Sequence, residues 1–323
     1  MQSVIQALGA ALCIAALPVL AQGNYPSAKP ITIIVPFAAG SGTDRVARIL
    51  AASMAANEFK DTTFVIDNRP GANGSIAAAA AAKATPDGYT LFMTTNSTQS
   101  VNPYIYKNLP YDPNFDFAPI ALLGETAPAL LTAASNPANS ARDVIELARQ
   151  KPDTLNFATT NTSSLSATQL LALRQNLKVT LVPYKVAPQA LTDTVGGTIQ
   201  FFFGDLGSAG ELVRGGKLKA LAVVSDKRLP GFPQVPTMAE AGYPGVEIPI
   251  WIGIFAPRGT PAALVERINR AVVAAQGRED VAQSLTSGAI NVRSTSVPAF
   301  TAYVAEQYQR WGKLAKDINL QAE

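Results

Sequence analysis

From Lys29 onward, short apolar runs alternate with segments whose apolar residues recur at helical spacing. Ile31-Thr32-Ile33-Ile34-Val35 is a continuous apolar run, the pattern of a strand buried on both faces. After it come Pro36, a glycine-containing loop and the segment Thr43 to Ala56. There Val46, Ile49, Leu50 and Met54 share one helical stripe, while Asp44, Arg45 and Arg48 lie mostly elsewhere on the wheel. Further strands are predicted at Thr63-Ile66, Thr90-Thr94, Pro119-Leu123, Ala129-Ala133, Leu155-Ala158, Val179-Val182, Ile199-Phe203, Leu218-Val224 and Ile250-Phe255, with helices between them. This alternation predicts an α/β protein with mostly parallel sheets flanked by helices. Ser140 to Gln150 opens with Ser-x-x-Asp, close to a capping box, and Thr260-Pro261 reads as an N-cap before a first-turn proline. Phe300, Val304, Tyr308, Trp311 and Leu314 form the stripe of a terminal helix docked on a core, and the run Ala77 to Ala82 reads as a close-packed helix.

Composition narrows the function. The 323 residues suffice for one large or two medium domains, and 48% hydrophobic against 15% charged residues excludes a disordered chain. Histidine is absent and Cys13 is the only cysteine, which removes Ser-His-Asp and Cys-His triads, histidine-ligated zinc and cysteine-ligated clusters. A net charge of +3 without any run of Lys or Arg gives nucleic-acid binding little support. Val4 to Leu20 carries no charge and ends Val19-Leu20-Ala21, so residues 1–21 read as an export signal cleaved after Ala21, although Met1 to Ser3 lacks Lys or Arg. About 17 apolar residues interrupted by Gly9 and Pro18 are marginal for an anchor, and Leu12 is bulky for lipid attachment at Cys13. Export to a bacterial periplasm, with a mature chain free of thiols, is the expectation.

Three strand-to-helix junctions are rich in small donors. Phe37-Ala38-Ala39-Gly40-Ser41-Gly42-Thr43-Asp44 can form an anion nest from helix-start amides and the hydroxyls of Ser41 and Thr43, or the same atoms can serve only to cap a helix. The segment is not a dinucleotide fingerprint, because Arg45 stands where the third glycine would fall, and it lacks the Walker lysine. Thr159-Thr160-Asn161-Thr162-Ser163-Ser164 repeats the arrangement, as does Thr94-Thr95-Asn96-Ser97-Thr98-Gln99-Ser100; a solvated polar loop is the alternative in each. Such loops at strand ends describe a cleft that binds an anion through dipoles. Asp205 and Lys185 are isolated charges near apolar strand ends, without an evident catalytic partner. Asp205 suits either a ligand amine or hydroxyl, or plain solvent exposure.

Taken in order, Tyr25-Pro26, Lys29-Pro30-Ile31, Val35-Pro36-Phe37 to Thr43-Asp44, Asn68-Arg69-Pro70-Gly71-Ala72-Asn73-Gly74, Pro86-Asp87-Gly88-Tyr89-Thr90-Leu91, Asn102-Pro103 and Leu109-Pro110-Tyr111-Asp112-Pro113 make a specific series. Val182-Pro183-Tyr184-Lys185, Leu191-Thr192-Asp193, Pro236-Thr237, Glu240-Ala241-Gly242 and Trp251-Ile252-Gly253 to Thr260-Pro261 continue it. The set resembles the Bug family, the periplasmic substrate-binding receptors of tripartite tricarboxylate transporters, across nearly the whole mature chain. The resemblance implies a two-lobed periplasmic-binding-protein fold, type II-like, with residues 22–127 plus 249–323 in one lobe and 128–248 in the other. It implies a small carboxylate (di- or tricarboxylate, amino acid or aromatic carboxylate) held between Phe37, Ala39, Gly40, Ser41, Gly42, Thr43 and Asp44 on one side and Thr160, Asn161, Thr162 and Ser163 on the other. Asn96, Ser97 and Asp205 complete the candidate set, with no catalytic residue, cofactor or metal. The expected partners are the ligand and integral membrane transporter subunits, for a receptor that works as a monomer. A ligand-sensing module for a signalling partner and a periplasmic enzyme are the alternatives. The chain departs from the family at Leu165, where histidine is common, at Gln169, where glutamate is common, and near Asn161-Thr162, which lacks an expected glycine. Gly204 displaces the family's aspartate, with Asp205 one step on.

Overall fold

The computed structural model describes residues 25–248 and 250–317; the expected export signal lies outside them. The first part of the chain runs through β1 (Ile31–Val35), α1 (Gly42–Ala56), β2 (Phe64–Asn68), α2 (Ser75–Ala82), β3 (Thr90–Thr95) and β4 (Phe117–Thr126). After Ala127 follow β5 (Pro128–Ala133), α3 (Ala141–Gln150), β6 (Asn156–Thr159), α4 (Thr162–Gln175), β7 (Thr180–Pro183), α5 (Ala187–Val195), β8 (Phe201–Asp205), α6 (Leu206–Arg214) and β9 (Leu218–Val223). The chain ends with β10 (Ile250–Pro257), α7 (Ala262–Gln276), α8 (Glu279–Ser287), β11 (Asn291–Val292) and α9 (Val297–Asp317).

Two mixed sheets result, one ordered β11-β4-β10-β3-β1-β2 and the other β7-β6-β8-β5-β9. The expected α/β class with mixed, helix-flanked sheets is the one observed, but the sheets are not mostly parallel: β10 returns antiparallel to β3 and β4, β11 to β4, and β5 to β8 and β9. Within the first sheet β1, β2 and β3 run parallel, and within the second β6, β7 and β8 do. Each parallel pair is joined by a helical crossover, the connection that parallel strands require. The apolar run of β1 is buried along both faces, and Val46, Leu50 and Met54 bring the stripe of α1 down onto it in one core cluster. The polyalanine segment is a helix whose Ala77, Ala78 and Ala81 are buried, where small side chains let it approach the sheet closely.

Helix ends follow the sequence in one case and not in another. Ser140 accepts from the amide of Asp143 while the Asp143 carboxylate accepts from the amide of Ser140, a reciprocal capping box. The N-cap expected at Thr260 sits instead at Pro261, and Thr260 Oγ1 donates back to the carbonyl of Pro257 at 2.8 Å. Its hydroxyl closes the turn that leaves the strand, so the helix starts without a side-chain cap.

The stripe on α9 is largely as the spacing predicts. Phe300, Val304 and Trp311 are buried, joined by Gln307 and Ala315, while Tyr308 and Leu314 are only half-buried. Phe300 packs edge-on against Trp251 of the first sheet, whereas Trp311 lies in the cluster around the second sheet, with Phe157 and Phe201. One helix therefore pins both sheets. Trp311→Ala is expected to cost about 3–5 kcal/mol, read by equilibrium urea unfolding; a loss below about 1 kcal/mol would show that α9 does not anchor the second sheet.

Candidate functional site

In open α/β sheets, ligands sit beyond the carboxyl ends of the strands, where helix starts converge. Here the carboxyl ends of β1, β2 and β3 meet those of β6, β7 and β8 across a cavity of about 660 Å³. The first sheet supplies Phe37, Ser41, Gly42 and Thr43 after β1, Pro70 to Gly74 after β2, and Thr95 and Ser97 at the end of β3. The second supplies Thr160, Asn161 and Ser163 after β6, Tyr184 to Pro188 after β7, and Asp205 and Gly207 after β8.

Around α1 the loop is held by its own side chains. Ser41 is the N-cap, and its hydroxyl accepts from the amide of Asp44 at 3.3 Å. The buried Asp44 carboxylate accepts from the amide of Gly40 (2.9 Å), from Arg48 Nε (3.0 Å) and from Asn68 Nδ2 (3.0 Å). Burial alone would raise its pKa, but those hydrogen bonds and the Arg48 charge outweigh burial and hold it below the usual carboxylate range. Asp44 and Gly40 thus bind each other and do not line the cavity. Ala39 is also outside the lining, where Ala38 appears instead. The amides of Gly42 and Thr43, first and second in the helix, have no partner within it.

The start of α4 repeats this geometry. Asn161 Oδ1 accepts from the amide of Ser164 (3.0 Å), and Ser164 Oγ accepts from the amides of Thr160 (2.9 Å) and Asn161 (3.2 Å). The carbonyl of Asn161 takes the amide of Leu165, so Thr162 and Ser163 keep the free first-turn amides. Thr162 is fully buried off the cavity wall and donates through Oγ1 to Ser97 Oγ at 2.9 Å, linking the two halves. Asn96 is likewise wholly buried and behind the wall, while Ser97 lines it.

Asp205 caps α6 through the amide (2.9 Å) and hydroxyl (2.7 Å) of Ser208 and faces the cavity. A Cβ placed on Gly42 would fall 2.5 Å from Asp205 Oδ1, and one on Gly207 would fall 2.9 Å from the Gly42 Cα. Arg45 Nη1 donates to the carbonyl of Gly207 at 2.9 Å beside this contact. Of the candidates from sequence, Phe37, Ser41, Gly42, Thr43, Ser97, Thr160, Asn161, Ser163 and Asp205 come together around one cavity. Asp44, Asn96 and Thr162 are buried behind them, while Ala39 and Gly40 are exposed outside the cavity lining.

Several cavity residues went unsuspected. Gly71, Ala72, Asn73 and Gly74 all have positive φ and bring the backbone after β2 to the wall; Asn102 Nδ2 holds the Asn73 carbonyl from behind at 3.1 Å. Clustered glycines directly after a strand were the available signal. Tyr184 is fixed by its hydroxyl to Asp193 at 2.7 Å; burial and that carboxylate push the phenol up to about 12, so it stays neutral and donating at physiological pH. Ile250, Ile252 and Ile290 form apolar wall, and nothing in sequence separates such residues from core. No group of three or more His, Cys, Asp or Glu among the described residues could hold a metal ion.

The family model for the tripartite tricarboxylate transporter family receptor matches residues 46–320. The chain belongs to this receptor family. It is 33% identical over 307 residues to the protein BugT of Bordetella pertussis, covering 94% of this chain and 92% of BugT. It superposes on the R. palustris protein Rpa4515, solved with adipate, with a TM-score of 0.88 and 32% identity, covering 93% of this chain and all of that one. MatC of Rhodopseudomonas palustris, solved with malate, gives a TM-score of 0.82 and 33% identity, with 89% and 99% coverage. The fold of this receptor is accordingly that of the periplasmic binding proteins.

Because the carboxylate of Asp44 titrates lower in the folded receptor than in the unfolded chain, its contribution to stability is complete above the unfolded value. It disappears as pH falls through the folded one. Asp44→Asn is expected to lower the urea midpoint at pH 7, with the gap from wild type closing as the pH drops below about 4. A gap of the same size at pH 7 and pH 3 would contradict this role for its charge.

Proposed function

We propose that this receptor binds a small carboxylate between its two sheets, through the amides of Gly42 and Thr43 on one side and Ser163 on the other, and passes it on chemically unchanged. The observation that carries the reading is the pairing of two capped helix starts, each with its third amide closed by its own cap, and with Gly42, Thr43 and Ser163 lining one cavity. Amides at a helix start offer donors and the positive end of the macrodipole, which favour an anion without a fixed counter-charge. The hydroxyls of Thr43 and Ser163 add donors, and Asp205 accepts from an amine or hydroxyl on the ligand. Adipate and malate in relatives of the same fold support a carboxylate.

The division into lobes follows residues 22–127 with 249–323, and 128–248. It is supported by β1 to β4, β10 and β11 sharing one sheet while β5 to β9 share the other. A ligand gripped from both sides gains contacts only when the lobes close, and that differential affinity drives closure. Export to the periplasm and delivery to membrane transporter subunits are supported by membership of the receptor family. No helix among the described residues is long and apolar enough to cross a membrane. The family's description as a receptor supports binding without turnover.

A thermal-shift panel of mono-, di- and tricarboxylates should raise the melting temperature for the cognate class. Calorimetry should then show Ser163→Ala weakening binding by about 0.5–1.5 kcal/mol, up to about 3 with a charged acceptor. Gly42→Val should weaken it more, because its side chain meets Asp205. Unchanged affinity in both variants contradicts the site. X-ray scattering should give a smaller radius of gyration with saturating ligand, and chromatography should recover the ligand intact; an altered ligand would favour an enzyme.

A further inference from the structure

The cavity holds one charge that the proposed carboxylate grip leaves unused. Lys185 lines the wall, is exposed, and makes no ion pair or hydrogen bond among the described residues. Its place is set by the sheet. β6 and β7 run parallel with Thr159 opposite Pro183, and the ladder continues one step further, where the amide of Tyr184 donates to the carbonyl of Thr159 at 2.7 Å. The next residue, Lys185, therefore stands at the level of Asn161, the cap of α4, one strand over. Tyr184 in turn is tied to Asp193, so the acid nearest in the following helix is already engaged.

Resting on the reading above, we propose that Lys185 is the specificity-determining residue of this receptor, making the cavity prefer an anion with two charged ends over one with a single carboxylate. One end sits on the uncharged amide cluster and the other reaches the Lys185 ammonium. Strand spacing and the four-carbon lysine stem put the two ends roughly 5–10 Å apart. Ile250, Ile252 and Ile290 line the same cavity and offer apolar surface to a spacer, so the ligand class is a dicarboxylate with an apolar spacer, aliphatic or aromatic. A single carboxylate fills the amide cluster and leaves the lysine hydrated, which costs nothing but gains nothing. Because Lys185 is exposed, the second contact is screened by salt while the buried amide contacts are not.

The test uses ligand pairs of equal length that differ by one carboxylate: adipate with hexanoate, and terephthalate with p-toluate. Calorimetry is run on the wild-type mature protein, Lys185→Gln and Lys185→Arg. The expected result is that each diacid binds wild type at least about tenfold more tightly than its monoacid partner, in line with a charge-assisted hydrogen bond. Lys185→Gln should abolish that preference by weakening the diacids while leaving the monoacids within about twofold, Lys185→Arg should keep it, and raised salt should shrink it. Equal binding of the two members of each pair to wild type, or a Lys185→Gln loss shared by both members, overturns the role of Lys185 while leaving the carboxylate site standing. Failure of all four acids to bind wild type overturns both.

Discussion

The first turn of an α-helix presents amides that its own carbonyls cannot reach, and they must find partners elsewhere. In this receptor two such turns, at the starts of α1 and α4, lie at the carboxyl ends of parallel strands in different sheets and open on the same cavity. In each, the cap residue takes the third amide, Asp44 through Ser41 and Ser164 through Asn161. That leaves Gly42, Thr43 and Ser163, all lining the cavity, as the donors that an incoming group can satisfy. Much of the surrounding architecture keeps these amides in place.

The support differs between the sides. Around α1 it is ionic: Asp44, buried and ionised, gathers Gly40, Arg48 and Asn68 into one network and stiffens the loop from the rear. Around α4 it is neutral, built from Ser164 and Asn161, so no negative charge stands directly behind that helix start. Polar contacts between the halves include Thr162 with Ser97, Arg45 with the carbonyl of Gly207 and Arg214 with the carbonyl of Ser287, beside the close approach of Gly42 to Asp205. Trp311 of α9 adds an apolar contact by packing into the cluster around the second sheet.

Much of this was legible in the sequence. Strand and helix positions followed from apolar runs and helical stripes, and the loops after β1 and β6 stood out because small polar residues cluster there beyond what solubility needs. The roles within those loops were less legible. Asp44 and Thr162 share the composition of their neighbours, yet one turns inward to brace the loop and the other crosses to Ser97; only the helix phase decides which faces the cavity. The turn from Gly71 to Gly74 was hidden because its part is played by backbone at positive φ, and a glycine in a string does not announce what approaches it. Ile250, Ile252 and Ile290 were invisible for the opposite reason, since an isoleucine on a cavity wall has the same neighbours in sequence as one in a core. The missed cap at Thr260 shows the limit of local motifs: the hydroxyl had a carbonyl within reach on the strand it leaves, and took it.

The central claim is that three particular amides, two from one half and one from the other, hold the ligand carboxylate. Amide resonances of Gly42, Thr43 and Ser163, followed by NMR with and without saturating dicarboxylate, test it most directly. The account predicts that all three shift downfield and exchange more slowly with solvent when the ligand is bound. If calorimetry shows binding while these three resonances keep both their positions and their exchange rates, the carboxylate lies elsewhere and the account is wrong.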